Sequence, residues 1–135
     1  MSKSKRKKQI DRVVTFSVPF ALKTSENLSE SSNYFSKLSQ EQIIRQAIDF
    51  HIDGNIKEAE RFYLLFINKG FNDHRVFSNY GSILKTLGSL KEAEFYTRKA
   101  IELKPDFGGY YFNLGNILND LGKLQDAELS LRKAI

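Results

Sequence analysis

The 135-residue chain has no cysteine, no tryptophan, two prolines, one methionine and two histidines. Without thiols there are no disulfides, no thiol catalysis, no iron–sulfur clusters and no zinc site built on thiolate. His51 and His74 have no neighbours at ligand spacing, so a solvated or capping role is expected for each, with no metal and no cofactor. No apolar run approaches the ~20 residues that a helix needs to cross a bilayer, so no membrane span is expected. The acids of Glu58/Glu60 and Glu92/Glu94 are two apart, and such pairs diverge on a helix. Gly108-Gly109 precedes a helical stretch, yet no strand leads into it and no Gly-x-Gly-x-x-Gly follows. The sequence offers no catalytic constellation, and this segment is not expected to be an enzyme.

One-sided charge is also scarce once it is located. The formal net charge is +5, but residues 1–12 hold six basic side chains and one acid, and the remaining residues hold fifteen of each sign. The body is balanced and only the beginning is basic. Lys3–Lys8 would meet a polyanion weakly and salt-dependently, with no interleaved aromatic and no basic stripe elsewhere, so no specific nucleic-acid partner is expected.

What the sequence does contain is a period of 34 residues. Phe77-Ser-Asn-Tyr-Gly-Ser-Ile-Leu84 aligns with Tyr111-Phe-Asn-Leu-Gly-Asn-Ile-Leu118. The match continues through Leu87-Gly88 and Leu121-Gly122, Ala93-Glu94 and Ala127-Glu128, and Arg98–Ile101 and Arg132–Ile135. Residues 40–73 fit the same columns more loosely, with Ala47, Phe50, Gly54, Ile56, Ala59-Glu60 and Tyr63. Apolar residues at helical spacing (Phe77, Tyr80, Leu84, Leu87) predict one amphipathic helix. Gly88 supplies a turn in which a positive φ is cheap. A second run (Leu90, Ala93, Tyr96, Ala100, Leu103) predicts the partner helix, and Pro105 stops it. Small residues at Gly81, Ala93 and Ala100 admit a close helix pair, as do Gly115, Ala127 and Ala134. Asp73, and Ser39 with Gln42 three residues later, are expected N-caps.

These columns resemble the tetratricopeptide repeat (TPR), whose pattern falls on Phe77, Tyr80, Gly81, Leu84, Ala93, Thr97, Ala100 and Pro105, and again on Tyr111, Leu114, Gly115, Leu118, Ala127, Leu131 and Ala134. Copy one departs from it, with Gln46, Phe66 and Phe71 where the family has Leu, Ala and Pro. The resemblance implies an all-α fold, a right-handed α-solenoid of about three helix-turn-helix units: an atypical TPR 1 over 40–73, TPR 2 over 74–107, and an incomplete TPR 3 over 108–135. Ile135 falls inside the second helix of the third copy with no capping helix after it, so the natural polypeptide is expected to continue, or the exposed end to stack on another copy.

Residues 1–39 are expected to be a flexible basic and serine-rich tail carrying an extended apolar segment at 13–22, where Val14, Phe16, Val18 and Phe20 alternate with Thr15, Ser17 and Pro19. Those three residues interrupt the apolar run, and no clean small-x-small site follows it, so a cytoplasmic location is expected over export.

The resemblance also implies a ligand face, the inner side of the first helices, at repeat positions 2, 5, 6, 9, 12 and 13. The candidate peptide-binding residues there are Arg45, Asn79, Ser82, Lys85, Asn113, Asn116 and Asn119. Asn79 and Asn113 share position 6, and a stack of carboxamides offers donors and acceptors to an extended peptide backbone. In this the face resembles the repeats of O-linked N-acetylglucosamine transferases. A chaperone-tail carboxylate clamp wants Lys and Asn where this sequence has Ile44 and Ile48. Ile44, Ile48 and Ile52 form an apolar stripe that would strand a few kcal/mol of burial if open, and Val13–Leu22 or Leu28–Leu38 is expected to cover it. The function implied is a protein- or peptide-binding scaffold. The alternative is the recruitment arm of a longer glycosyl-, sulfo- or methyltransferase, as regular bacterial and cyanobacterial repeats of this kind suggest.

Overall fold

A computed structural model describes residues 33–135. They belong to two units, the first ending at Ser39 and the second spanning Gln40–Ile135. Within the first, residues 33–36 form a helical turn in which Ser36 Oγ donates to the Asn33 carbonyl at 2.8 Å. The expectations for the basic run, the 13–22 segment and its role as a cover lie outside the described residues.

The second unit is an α-solenoid of six helices: α1 (Gln40–Ile52), α2 (Ile56–Asn68), α3 (His74–Thr86), α4 (Leu90–Leu103), α5 (Gly108–Asp120) and α6 (Leu124–Lys133). The starts of α1, α3 and α5 are 34 residues apart. Gly54, Gly88 and Gly122 occupy one repeat column and have φ of 81°, 85° and 81°, a conformation that costs a residue with a Cβ and costs glycine little. The turn after α3 shows why it is needed. Gly88 N–H donates to the Lys85 carbonyl and Ser89 N–H to the Leu84 carbonyl, at 3.0 and 2.9 Å. Together these close a Schellman motif that satisfies two otherwise orphaned carbonyls. At the end of the second helices the copies differ. Lys104 leaves the helix at φ −143° before Pro105, whereas α2, with Phe71 in the proline column, ends on Gly70 at φ 82°. A glycine cap replaces the proline stop.

Each helix pair closes on small residues. A Cβ on Gly81 would lie 2.7 Å from Thr97 Oγ1 and 3.4 Å from the Ala93 carbonyl oxygen, so α3 and α4 approach only because that atom is missing. Ala59, Ala93 and Ala127, one column of the second helices, are all buried. Neighbouring pairs are joined by larger side chains. Phe77, Ala100 and Tyr110 form a cluster flanked by Ile67, Tyr96 and Ile101. Leu114, Leu118 and Ala127 form another, and Ile101 packs against it too. Each large apolar side chain removed from water contributes about 1.5–3 kcal/mol, so these clusters stabilise both the pairs and their stacking.

The isoleucine stripe of α1 does not stay on one face. Ile44 is buried at 3% exposure, Ile48 is half-buried, and Ile52 is 77% exposed. At 3.6 residues per turn, steps of four drift by about 40° each, so the row winds outward from the side that Ile43 and Ala47 bury. The expectation of three open isoleucines holds at Ile52 and fails at Ile44. Among the described residues, no helix is long and apolar enough to cross a membrane.

Candidate functional site: the first-helix face

α3 begins at a charged cap. Asp73 is extended (φ −157°, ψ 130°) and its carboxylate accepts from the Arg75 N–H at 2.8 Å, as an N-cap does. Arg75 folds back so that Nε and Nη2 also donate to Asp73, and Nη2 reaches Glu41 on α1 at 3.1 Å. Burial pushes the Asp73 carboxyl up, but the Arg75 hydrogen bonds outweigh it and hold the group below its ordinary value. Arg75 thereby ties the starts of α1 and α3 together. At the other end of the face, Lys85 meets Asp120 at 3.6 Å and ties α3 to α5.

The histidines are not free surface groups. His51 Nδ1 lies 3.1 Å from the hydroxyl of Tyr63 on α2, and His74 Nδ1 lies 2.6 Å from that of Tyr110 on α5. Burial lowers the His51 pKa and raises that of Tyr110. Tyr63 is fully buried; burial pushes its phenol up to about 12, with hydrogen bonding from Asn79 pulling the other way. Both histidines are therefore bridging residues, where the sequence suggested solvated or capping ones.

These pairings sort the candidate residues. Asn79 is half-buried and turned toward Tyr63. Lys85 is occupied by Asp120. Ser82 is half-buried, and its carbonyl accepts from Thr86 Oγ1 at 3.1 Å. Arg45 and Asn119 are exposed, while Asn113 and Asn116 are half-buried. Among the described residues, no side-chain hydrogen bond occupies the three α5 asparagines. Phe112, beside Asn113 at repeat position 5, is 54% exposed and extends the candidate set. Its signal in the sequence was a large aromatic in a column where copy two has Ser78. The available recognition groups are thus concentrated on α5: three carboxamides with free donors and acceptors next to an open ring. Among the described residues, no cluster of three or more His, Asp or Glu could hold a metal ion.

Comparison with known proteins agrees with this architecture. Two family models described as tetratricopeptide repeat match, over residues 74–107 and 96–128. No curated protein sequence matches the chain. Among solved structures, the TPR2B domain of yeast Sti1 in its complex with an Hsp70 peptide is 24% identical, covering 70% of this chain and 76% of that one, with a TM-score of 0.64. PcrH in complex with the chaperone-binding region of PopB is 20% identical over 73% and 82%, with a TM-score of 0.65. The second TPR of Spaghetti (RPAP3), bound to the HSP90 peptide SRMEEVD, is 17% identical over 82% and 94%, with a TM-score of 0.66. At these identities the structural likeness shows the fold. The two family matches identify tetratricopeptide repeats over residues 74–128, and the repeat columns and paired helices carry the same fold through Gln40–Ile135.

Proposed function

We propose that the chain is a protein-binding scaffold of three repeats, 40–73, 74–107 and 108–135, and that it grips an extended peptide on the face of α1, α3 and α5. The observation that carries this reading is the exposed Phe112 beside Asn113, Asn116 and Asn119, whose amides are unoccupied among the described residues. A carboxamide matches both the N–H and the C=O of a peptide backbone, and an open ring anchors one side chain. Three of the structural neighbours are peptide or protein complexes, which supports the reading. The cations of α3 are already neutralised, Arg75 by Asp73 and Glu41 and Lys85 by Asp120, which favours a ligand without a strongly acidic end. The interrupted apolar run at 13–22 is the sequence ground for placing the scaffold in the cytoplasm, and fractionation of the native host tests that placement.

The binding test is a peptide-display selection on the immobilised chain, repeated on the triple variant Phe112→Ala, Asn113→Ala, Asn116→Ala. Enriched peptides should bind the variant at least about tenfold more weakly, the scale of a hot-spot loss. Enriched peptides that bind both proteins alike would remove the face from consideration.

A further inference from the structure

The second helices carry a site of their own, seen by setting one repeat against the next. Where α4 packs on α3, the Tyr96 ring stacks on Phe77 at 5.9 Å and 25° and meets Tyr80 edge-on at 5.0 Å. Lys99 lies 5.7 Å above the Phe77 ring. One repeat on, the columns of Phe77, Tyr80, Tyr96 and Lys99 hold Tyr111, Leu114, Ser130 and Lys133. The floor and the cation persist: Lys133 lies 5.7 Å above the Tyr111 ring. The inserted ring is absent, replaced by a serine, and a cleft of about 300 Å³ opens there, bounded by Ile101 on α4, Tyr111 and Leu114 on α5, and Leu129 and Ser130 on α6.

Two further features point to an occupant. Ser130 is buried at 8% exposure, and its hydroxyl has no hydrogen-bond partner among the described residues, although buried hydroxyls ordinarily find one. The rim carries Arg98, Lys133 and Glu102, two cations to one acid. Arg98 is held by Glu94 at 2.9 Å, while Lys133 has no carboxylate partner among the described residues.

We propose that this cleft is a second binding site, which takes an aromatic side chain of a partner protein with an acidic residue beside it. The ring takes the place that Tyr96 holds one repeat earlier, against Tyr111 and Leu114, and the acid faces Lys133. The site lies on the opposite helices from the first-helix face and does not depend on the reading of that face.

The experiment is a titration of the isotope-labelled full chain with N-acetyl-Asp-Phe-amide, followed by amide chemical shifts, with N-acetyl-Asp-Ala-amide as control. The Phe probe should move Ile101, Leu129 and Ser130 signals and the Ala probe should not. Ser130→Tyr, which builds the missing ring into the chain, should weaken the Phe probe at least about tenfold. Ser130→Leu should do the same should the tyrosine variant lose its helical circular dichroism. Lys133→Ala should weaken it about two- to fivefold, as an exposed ion pair does. Phe112→Ala should leave this binding unchanged, so failure of one face is distinguishable from failure of the other. Equal binding of the two probes, shifts confined to Phe112 and Asn113, absence of any shift, or unchanged affinity in both Ser130 variants would overturn the assignment.

Discussion

Over α3, four aromatic columns are filled by Phe77, Tyr80, Phe95 and Tyr96, with contacts from 5.0 to 5.9 Å among their rings. Over α5 the same columns hold Tyr111, Leu114, Leu129 and Ser130, one ring in place of four. The backbones of the two repeats nevertheless follow the same course, helix for helix and turn for turn. What they share is the small-residue set: Gly81 and Gly115 facing Ala93 and Ala127, and a left-handed glycine at 88 and 122. Close approach and turn geometry set the repeat, and the large columns are released to vary. That variation concentrates aromatic packing in the second repeat and leaves open surface in the third.

The comparison is sharpest under truncation. Phe77 is 4% exposed and sits between Ala100 and Tyr110, so Phe77→Ala should cost about 3–5 kcal/mol in denaturant unfolding. Tyr111 is only half-buried, with its hydroxyl donating to the Pro105 carbonyl at 2.9 Å, and Tyr111→Ala should cost less than half as much. Equal losses would mean that the third repeat has a core as developed as the second. The glycine pair tests the shared feature. Gly81→Ala forces a methyl against buried Thr97 and should cost about 1–3 kcal/mol. At Gly115 an added Cβ would lie 2.6 Å from both Cγ and Cδ2 of Leu131 and 3.3 Å from the Ala127 carbonyl oxygen, so the half-buried Leu131 cannot clear it by moving its tip alone. The helix propensity gained there, about 1 kcal/mol, offsets only part of the clash, so Gly115→Ala should also cost about 1–3 kcal/mol by thermal melting; a neutral result would mean that α5 and α6 can part without loss.

Caps and charges come next in size. Asp73→Ala removes a side-chain cap from α3 and should cost about 1 kcal/mol, whereas α5 begins at Phe107 with no side-chain cap bond to lose. Both Asp73 and Glu94 have pKa values held below the ordinary range, in each case because hydrogen bonds to basic partners outweigh the upward push of burial. A depressed acid stabilises the fold above its unfolded pKa of about 4 and loses that contribution as pH falls through the folded value. Melting temperature should therefore begin to decline gently below about pH 6.5, where the lowered His51 must take up a proton, and fall further below about pH 4, this second fall being less steep in Asp73→Ala; identical slopes there would detach the cap from acid stability. The smallest effect belongs to the exposed Lys85–Asp120 link between α3 and α5, where Lys85→Ala should cost under about 0.5 kcal/mol.

The features read correctly from sequence depend on residues close together along the chain. Helix starts at Gln40, His74 and Gly108, the Asp73 cap, the Gly88 turn and the Pro105 stop are all set by local backbone preference and by a period visible in one dimension. The first-helix face was legible as a set of positions for the same reason. Which of its side chains are available was not. Asn79 is drawn to Tyr63 and Lys85 to Asp120, whereas the α5 asparagines make no side-chain hydrogen bond among the described residues.

The sequence by itself determined the repeat, its paired helices and its small-residue seams, because glycine, alanine and proline act on their own backbone wherever they stand. Tertiary structure alone decided the His51–Tyr63 and His74–Tyr110 pairs, the Glu41–Arg75 link and the cleft over Tyr111. Those depend on the rotation between neighbouring helices and on how far each side chain reaches across it, and a difference of one ring between two columns becomes a cavity only when the helices around it are held in place.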